Sequence, residues 1–255
     1  MSMRWEDIFQ LPRAAYTGGR RVPKTVLVQQ AGLTRLEQKT LDRVARIEHW
    51  ATVQKSTARI LPHVDNEYDV QSVVFLRVEL SRGAAFAEVG RLLHKSFPNP
   101  TVVLAEGDGG VCISVALTRK SLAEKGATVV ERVDGTGAFD PTDEAWSGLL
   151  DALAFHSLPQ DDLLSYLVAM GRAVRMSRAI PVLGDYPSCK AEHADELLEL
   201  VAEHERLTSE VRSIEEKRRD RNLSLNETAK LRVQQRAAEK KRDEVAYKIR
   251  SVCNG

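Results

Sequence analysis

The sequence predicts an α/β or α+β body, with a central mixed sheet of four to five strands flanked by helices, followed by a C-terminal antiparallel coiled-coil hairpin. Between residues 70 and 133, apolar β-branched runs alternate with a helical pattern. From residue 191 to residue 247 the chain contains no proline or glycine. These observations predict two domains, an α/β globular domain at 1–187 and a coiled-coil hairpin at 188–255.

Composition and charge limit the classes of function. The 255 residues are 43% hydrophobic, which is enough for one sizeable core, and the net charge of +1 forces neither a nucleic acid nor a membrane as partner. The chain shows no apolar run near the ~20 residues of a membrane helix and starts without a secretory signal, so we expect a cytoplasmic protein. Cys112, Cys189 and Cys253 are scattered, and we expect no disulfide, metal or cofactor.

The N-terminal region predicts a loop and then one helix. Prolines and glycines punctuate residues 11–24, which indicates a loop. Thr34 and Glu37 have the spacing of a capping box. Leu41, Val44, Ile47 and Trp50 follow at three-residue steps, which predicts an amphipathic helix that reaches about Trp50.

The strands follow in order. Residues 70–80 form a nearly continuous apolar run and predict a central strand, residues 83–97 predict a helix, and residues 99–106 predict a second strand. This order favours a right-handed crossover between parallel strands. Residues 111–118 and 127–133 predict further strands, and residues 58–62 the weakest one.

A cluster of glycines could cradle a phosphate or reverse the chain. Gly107, Gly109 and Gly110 are followed by the apolar run "VCISVALT", which predicts a strand and not the helix N-terminus that a phosphate loop requires. Asp108-Gly109 between two apolar runs therefore predicts a β-hairpin turn with positive φ.

The last third of the chain predicts helices. Asp140-Pro141 and Pro159 should open two helices of the body, and residues 181–189 form a linker. Two apolar series then recur at heptad spacing, and a second capping box begins a second arm. The first-arm positions are Leu197, His204 and Val211 with Leu200, Leu207 and Ile214; the second arm carries Ser224, Glu227, Leu231, Ala238, Val245 and Val252. An antiparallel hairpin fits this pattern, and a continuous coil that forms a homodimer is the alternative.

Two surfaces are candidates for binding. We expect the hairpin to bind a partner protein through Leu200, Leu207, Val211 and Ile214. Two basic clusters indicate solvated charge, with phosphate contacts of DNA or RNA as the alternative. Their residues are Arg20, Arg21 and Lys24 in the predicted N-terminal loop, and Lys217, Arg218, Arg219 and Arg221 at the predicted hairpin tip.

No catalytic constellation is complete. A restriction-type nuclease would need an acid-x-lysine pair with a further acid, sought here between Asp69 and Glu79, but the sequence continues Leu80-Ser81-Arg82. The histidines have no fixed spacing to a carboxylate or cysteine, and Ser114 and Cys112 lie in an apolar run without an evident base. We predict no catalytic residue.

Several segments together resemble a known bacterial family. They are "LPRAAYTGGRRVPK", "DRVARIEHW", "VVFLRVEL", "LLHKSFPNPTVVLAE", "ISVALTRKS" and the helical tail. In this order they resemble the family called domain of unknown function 4391. That family is often encoded beside helicases and DNA methyltransferases in anti-phage islands, and the name brings no activity with it.

The resemblance implies a non-enzymatic accessory or adaptor subunit of a restriction-like defence system. Its hairpin would dock a helicase or a DNA methyltransferase of the same operon. The alternatives are a direct DNA- or RNA-binding protein that uses the basic clusters, and a degenerate restriction-type nuclease.

Overall fold

The structure is a computed structural model that describes residues 4–124, 126–220 and 223–254. The chain divides into two compact units, Met1–Ser177 and Arg178–Gly255. We call them the body and the hairpin unit. That residues 1–187 fold without the rest stays a prediction.

The body is built on a mixed six-stranded sheet with the order β1-β2-β5-β6-β7-β8, and β3 and β4 form a separate two-stranded sheet. The described strands are β1 (Tyr16–Arg21), β2 (Val44–Val53), β3 (His63–Val64), β4 (Asp69–Val70), β5 (Val73–Leu80), β6 (Thr101–Gly107), β7 (Gly110–Lys120) and β8 (Thr128–Gly135). Within the main sheet β5 and β6 are parallel, and the other neighbouring pairs are antiparallel. The predicted α/β class is confirmed, with more strands than predicted.

Helices belong to both units. Those described are α1 (Trp5–Phe9), α2 (Lys24–Ala31), α3 (Arg35–Asp42), α4 (Lys55–Ala58), α5 (Phe86–Ser96), α6 (Ser147–Ala152), α7 (Leu163–Met176), α8 (Ile180–Leu183), α9 (Ala194–Arg218) and α10 (Leu225–Asn254). The predicted crossover between parallel strands is confirmed, since α5 joins β5 to β6, and its right-handedness stays a prediction. The predicted central strand is also confirmed, because β5 is the third strand of six.

The sheet buries apolar side chains on both faces. On one face, Leu76 packs in a cluster with residues of α2, α3 and α5. On the other face, Phe75 meets Phe9 edge-on, with ring centroids 5.4 Å apart, and Trp50 joins this aromatic group. Two-sided burial explains why β5 reads as a continuous apolar run.

The glycine cluster forms a hairpin turn, as predicted. Gly107 pairs with Gly110 across β6 and β7, so Asp108 and Gly109 form the turn. The positive φ predicted for the turn lies instead at Gly110 (104°), which follows the two turn residues. A Cβ at Gly110 would lie 2.3 Å from the Phe139 carbonyl oxygen, so the position requires glycine.

The predicted helix from Thr34 to Trp50 is wrong in its second half. The capping box of Thr34 and Glu37 is confirmed, but α3 ends at Asp42 and β2 begins at Val44. The register between β2 and β5 shifts between Val44 and Arg46, and again between His49 and Ala51. These bulges interrupt the alternation of a strand, so apolar residues recur at three-residue steps and imitate a helix.

Other local predictions are also corrected. Residues 11–24 are not one loop, because they contain the edge strand β1 and the first residue of α2. Residues 58–62 form no strand; Leu61 makes only an isolated bridge with Asp162. Asp162 caps α7 through the Leu164 and Ser165 amides, so this helix begins after Pro159 and its turn.

The hairpin unit confirms the predicted helical hairpin. Helices α9 and α10 pack closely against each other. Arg218 at the end of α9 donates to Gln235 in the first half of α10, and Leu200 in the first half of α9 lines one groove with Val252 at the end of α10, so the two helices are antiparallel. The second capping box is confirmed, since the Ser224 amide donates to Glu227 Oε2 (2.9 Å) and the Glu227 amide donates to Ser224 Oγ (3.2 Å).

Candidate functional site

The seam between α9 and α10 contains three of the four residues predicted to bind a partner. Leu207, Val211 and Ile214 are buried, and the last two pack against Ala238 and Leu231 of α10. Leu200 is only partly buried. Binding of a partner by these four residues stays a prediction; in the structure, Val211 and Ile214 join α9 to α10.

Sequence reasoning missed part of the seam. Val201 and Ile249 are buried at 4% and 0% exposure, whereas the predicted positions Leu200, Val245 and Val252 are only partly buried. The buried residues therefore depart from strict seven-residue spacing in the first turns of α9 and the last turns of α10. The four-residue step from Leu197 to Val201 was the available signal.

The outward face of α10 carries exposed apolar side chains. Leu225, Val233 and Tyr247 are 90%, 69% and 71% exposed. The helical repeat places them on the side opposite the seam, together with Arg236 and Lys240. Sequence reasoning did not single out this face, although the spacing of Val233, Arg236, Lys240 and Tyr247 was visible.

The N-terminal basic residues lie on ordered elements of the body. Arg20 and Arg21 are exposed on β1, an edge strand of the main sheet, and not in a loop. Lys24 is the first residue of α2, and its Nζ donates to the Asp42 carbonyl over 3.5 Å. Contact of these side chains with nucleic acid stays a prediction.

The basic residues at the hairpin tip differ in their exposure to solvent. Lys217 and Arg219 are exposed, whereas Arg218 is partly buried and donates to Gln235. Arg221 lies outside the described residues. Lys217 and Arg219 belong to the hairpin unit, whereas the N-terminal cluster belongs to the body.

The nuclease candidates do not assemble into a site. Asp69 lies on β4 in the small sheet, whereas Glu79 lies near the end of β5 in the main sheet. Within the described parts of the chain, no group of three or more His, Cys, Asp or Glu side chains could hold a metal ion. The nuclease hypothesis gains no support from this arrangement.

Glu79 instead belongs to a charged cluster at the end of the parallel strands, which sequence reasoning missed. It is the register partner of Glu106 on β6. Glu106 Oε1 accepts from Trp5 Nε1 (2.5 Å) and Arg77 Nε (3.2 Å). Glu48 of β2, whose register partner is Arg77, forms an ion pair with Arg46. Most of the charge is therefore compensated inside the cluster.

A histidine and a serine also meet in the body, although no base was predicted for Ser114. His94 Nε2 lies 2.9 Å from Ser114 Oγ, and His94 Nδ1 lies 2.5 Å from Thr101 Oγ1. His94 is fully buried, Ser114 is 8% exposed, and burial lowers the pKa of His94 to about 3. The neutral imidazole joins α5 to β6 and β7, and its burial favours a stabilising role over catalysis.

The family follows from comparison with known proteins. A model described as Domain of unknown function (DUF4391) matches residues 9–241. The chain belongs to this family. The match spans most of the body and of the hairpin, so the resemblance drawn from the sequence is confirmed.

The other comparisons do not indicate an activity for this chain. No curated protein and no solved structure matches the chain. Across the described ranges, no helix has the length and apolar character needed to cross a membrane.

Proposed function

We propose that this member of the DUF4391 family is a non-enzymatic accessory subunit that docks a larger protein through its helical hairpin. The partner is a helicase or a DNA methyltransferase of the same bacterial anti-phage system. The genomic setting of the family, as the resemblance implies it, supports the identity of the partner. The hairpin itself supports the mode of action.

One observation carries the proposal. The two helices of the hairpin are 25 and 30 residues long, and they bury one narrow seam against each other. Outside that seam, α10 exposes Leu225, Val233 and Tyr247 to solvent. Large apolar side chains that recur on one helix face mark a surface for another protein.

The test compares substitutions on the exposed face with a matched substitution on the body. The double variant Val233→Asp and Tyr247→Asp should reduce co-purification of the helicase or methyltransferase from the native host at least about tenfold, because the apolar contact is lost. The control is Leu122→Asp in the body, where Leu122 is 91% exposed. Equal recovery of the partner with both variants would contradict the proposal.

Direct nucleic-acid binding is the second candidate function. It is favoured by Lys217 and Arg219, which are exposed at the hairpin tip and make no ion pair within the described residues. Replacing Lys217, Arg218, Arg219 and Arg221 by Ser should then weaken DNA binding for all sequences alike. The salt dependence should flatten by about 0.9 unit of slope per lost phosphate contact.

The two functions predict different results for the isolated protein. A docking subunit binds duplex DNA weakly at physiological salt, and its tip variant keeps the partner protein. Tight, salt-sensitive DNA binding that is lost in the tip variant and kept in Val233→Asp would favour the second function.

A further inference from the structure

We propose that the outward face of α10 binds an amphipathic helix of a partner protein whose polar positions are acidic. This inference rests on the proposed function and specifies the docking surface and the chemistry of its occupant. We call the surface the outer face. Its residues are Leu225, Ala229, Arg232, Val233, Arg236, Lys240, Asp243, Glu244 and Tyr247, all of them exposed.

The outer face is continuous along the helix. From Leu225, its members recur at steps of three or four residues through Val233, Arg236 and Lys240 to Tyr247. At ~1.5 Å of rise per residue, the distance from Leu225 to Tyr247 is about 33 Å. This length suits a partner helix of about 20 residues.

No helix in the described part of the hairpin unit covers this face. The seam with α9 lies on the opposite side of α10, at Leu231, Ala238 and Ile249. In the described part of the hairpin unit, the exposed large apolar residues are Leu225, Val233 and Tyr247, all on α10. The apolar part of a binding surface is therefore concentrated on this one helix.

The charges of the outer face call for an acidic complement. Arg232 and Arg236 form no ion pair within the described residues, and Lys240 meets only Glu244, with 3.9 Å between Nζ and Oε1. These three cations occupy the middle of the face. Carboxylates on a partner helix would pair with them while its apolar positions cover Val233 and Tyr247.

A second copy of this chain does not supply that complement. An antiparallel pair of α10 helices that places Leu225 against Tyr247 also places Arg232 against Lys240 and Arg236 against its own symmetry mate. Like charges opposite each other oppose association. The homodimer is therefore disfavoured on this face.

Nucleic acid fits the outer face less well than an acidic helix. Phosphates would satisfy Arg232 and Arg236, but they leave Leu225 and Val233 without an apolar partner. A protein helix with apolar and acidic positions can satisfy Leu225 and Val233 together with Arg232 and Arg236, provided that its carboxylates lie opposite these arginines and not opposite Asp243 and Glu244.

The experiment uses the full-length protein and two designed helical peptides of about 20 residues. Both peptides carry the same apolar stripe; one has glutamate at the flanking positions and the other has lysine. We expect the acidic peptide to bind in a fluorescence anisotropy titration. Its affinity should fall at least about tenfold in Val233→Asp and in Arg236→Glu.

Matched variants on α9 control for general effects of charge. Ala202→Asp and Arg212→Glu change exposed residues of α9 in the same way, and both should keep the wild-type affinity for the acidic peptide. Circular dichroism should show unchanged helix content in all four variants, because every substituted side chain is exposed.

Several results would overturn the inference. One is the absence of binding, and another is equal binding of the lysine peptide or an affinity that Val233→Asp leaves unchanged. Displacement of the acidic peptide by duplex DNA at physiological salt would assign the face to nucleic acid. Dimerisation in sedimentation experiments that Val233→Asp abolishes would assign it to a second copy.

The result also separates this inference from the proposed function. If Val233→Asp with Tyr247→Asp releases the native partner while the acidic peptide does not bind, docking through α10 stands and the acidic-helix assignment fails. If the peptide binds as expected while the native partner is retained, the proposed docking function fails instead.

Discussion

The body and the hairpin unit bury their apolar side chains in different ways. In the body, the central strand β5 is covered on both faces, since its neighbouring residues Phe75 and Leu76 are both fully buried. In the hairpin, each helix buries one stripe, as Leu207 and Val211 do on α9. The centre of the body is thus buried on both sides of β5, whereas each helix of the hairpin buries one side and leaves the other exposed.

This difference indicates which substitutions should destabilise each unit. A substitution in the centre of the body disturbs a core in which β2, β5, β6 and β7 each pair with two neighbouring strands. The hairpin seam has few layers, and each layer depends on one or two side chains, such as Ile214 packing with Ala238. Loss of one seam residue should therefore separate α9 from α10 and leave the body folded.

The largest effect is expected at the seam. Leu207→Asp removes a side chain that is 1% exposed and places an unpaired charge there, which should cost the hairpin about 3–5 kcal/mol of stability. Hydrogen exchange should rise throughout α9 and α10 and stay unchanged in β5 to β7. The control is Ala202→Asp, which changes an exposed position of the same helix.

Unchanged exchange in α10 of Leu207→Asp would mean that the seam does not hold the hairpin together. A simultaneous rise of exchange in β5 would contradict the independence of the two units. Either result would contradict the view that the hairpin depends on one seam and can open while the body stays folded.

A second effect is expected in the body, at His94. Burial lowers the pKa of His94 in the folded body from 6.5 to about 3. Between pH 3 and pH 6.5, the imidazole is therefore protonated in the unfolded chain and neutral in the folded body. The contribution of His94 to stability is therefore complete above pH 6.5 and is lost as the pH falls. The slope is at most about 1.4 kcal/mol per pH unit.

Urea unfolding followed by tryptophan fluorescence measures this slope. Trp5, Trp50 and Trp146 all belong to the body, so the signal reports this unit alone. His94→Gln should reduce the loss of stability between pH 6 and pH 4 relative to the wild type. The same pH dependence in both proteins would exclude His94 as its source.

The comparison of the two units also shows what the sequence could predict. The hairpin could be predicted because its contacts follow a local period, and Ser224 and Glu227 lie within one helical turn. In the body, the pairing of His94 with Ser114 joins residues 20 positions apart, and no local pattern announces it. The capping boxes and the turn at Asp108 could be predicted as well, because they too depend on residues that are close together in the sequence.

The errors have a similar physical origin. The bulges of β2 depend on its pairing with β5, so the three-residue spacing of Val44 and Ile47 could not be distinguished locally from a helix. At the candidate site, the sequence identified the seam residues Leu207 and Ile214 by their apolar spacing. It missed the exposed Val233, because exposure depends on which side of α10 faces α9.

The smallest effect is expected at the surface of the body, where the pKa of His63 is shifted in the opposite direction to that of His94. His63 Nε2 lies 3.0 Å from Asp65 Oδ2, and its Nδ1 lies 3.4 Å from Asp162 Oδ1. The hydrogen bond with Asp65, followed by the charge of Asp162, raises the pKa of His63 above 6.5. Its stabilising contribution is therefore present below pH 6.5 and is lost as the pH rises through the folded-state pKa.

NMR titration of the His63 imidazole tests this sign directly. We expect a pKa above 6.5 in the wild type and a lower pKa in Asp65→Asn, because the carboxylate that stabilises the imidazolium is lost. Asp65 is the better position for the change, since Asp162 also caps α7. A pKa of 6.5 or below in the wild type would show that the two carboxylates do not hold His63 in solution. In that case, of these two histidines, only His94 would make the stability of the body depend on pH, and the opposite contribution expected of His63 at the surface would be absent.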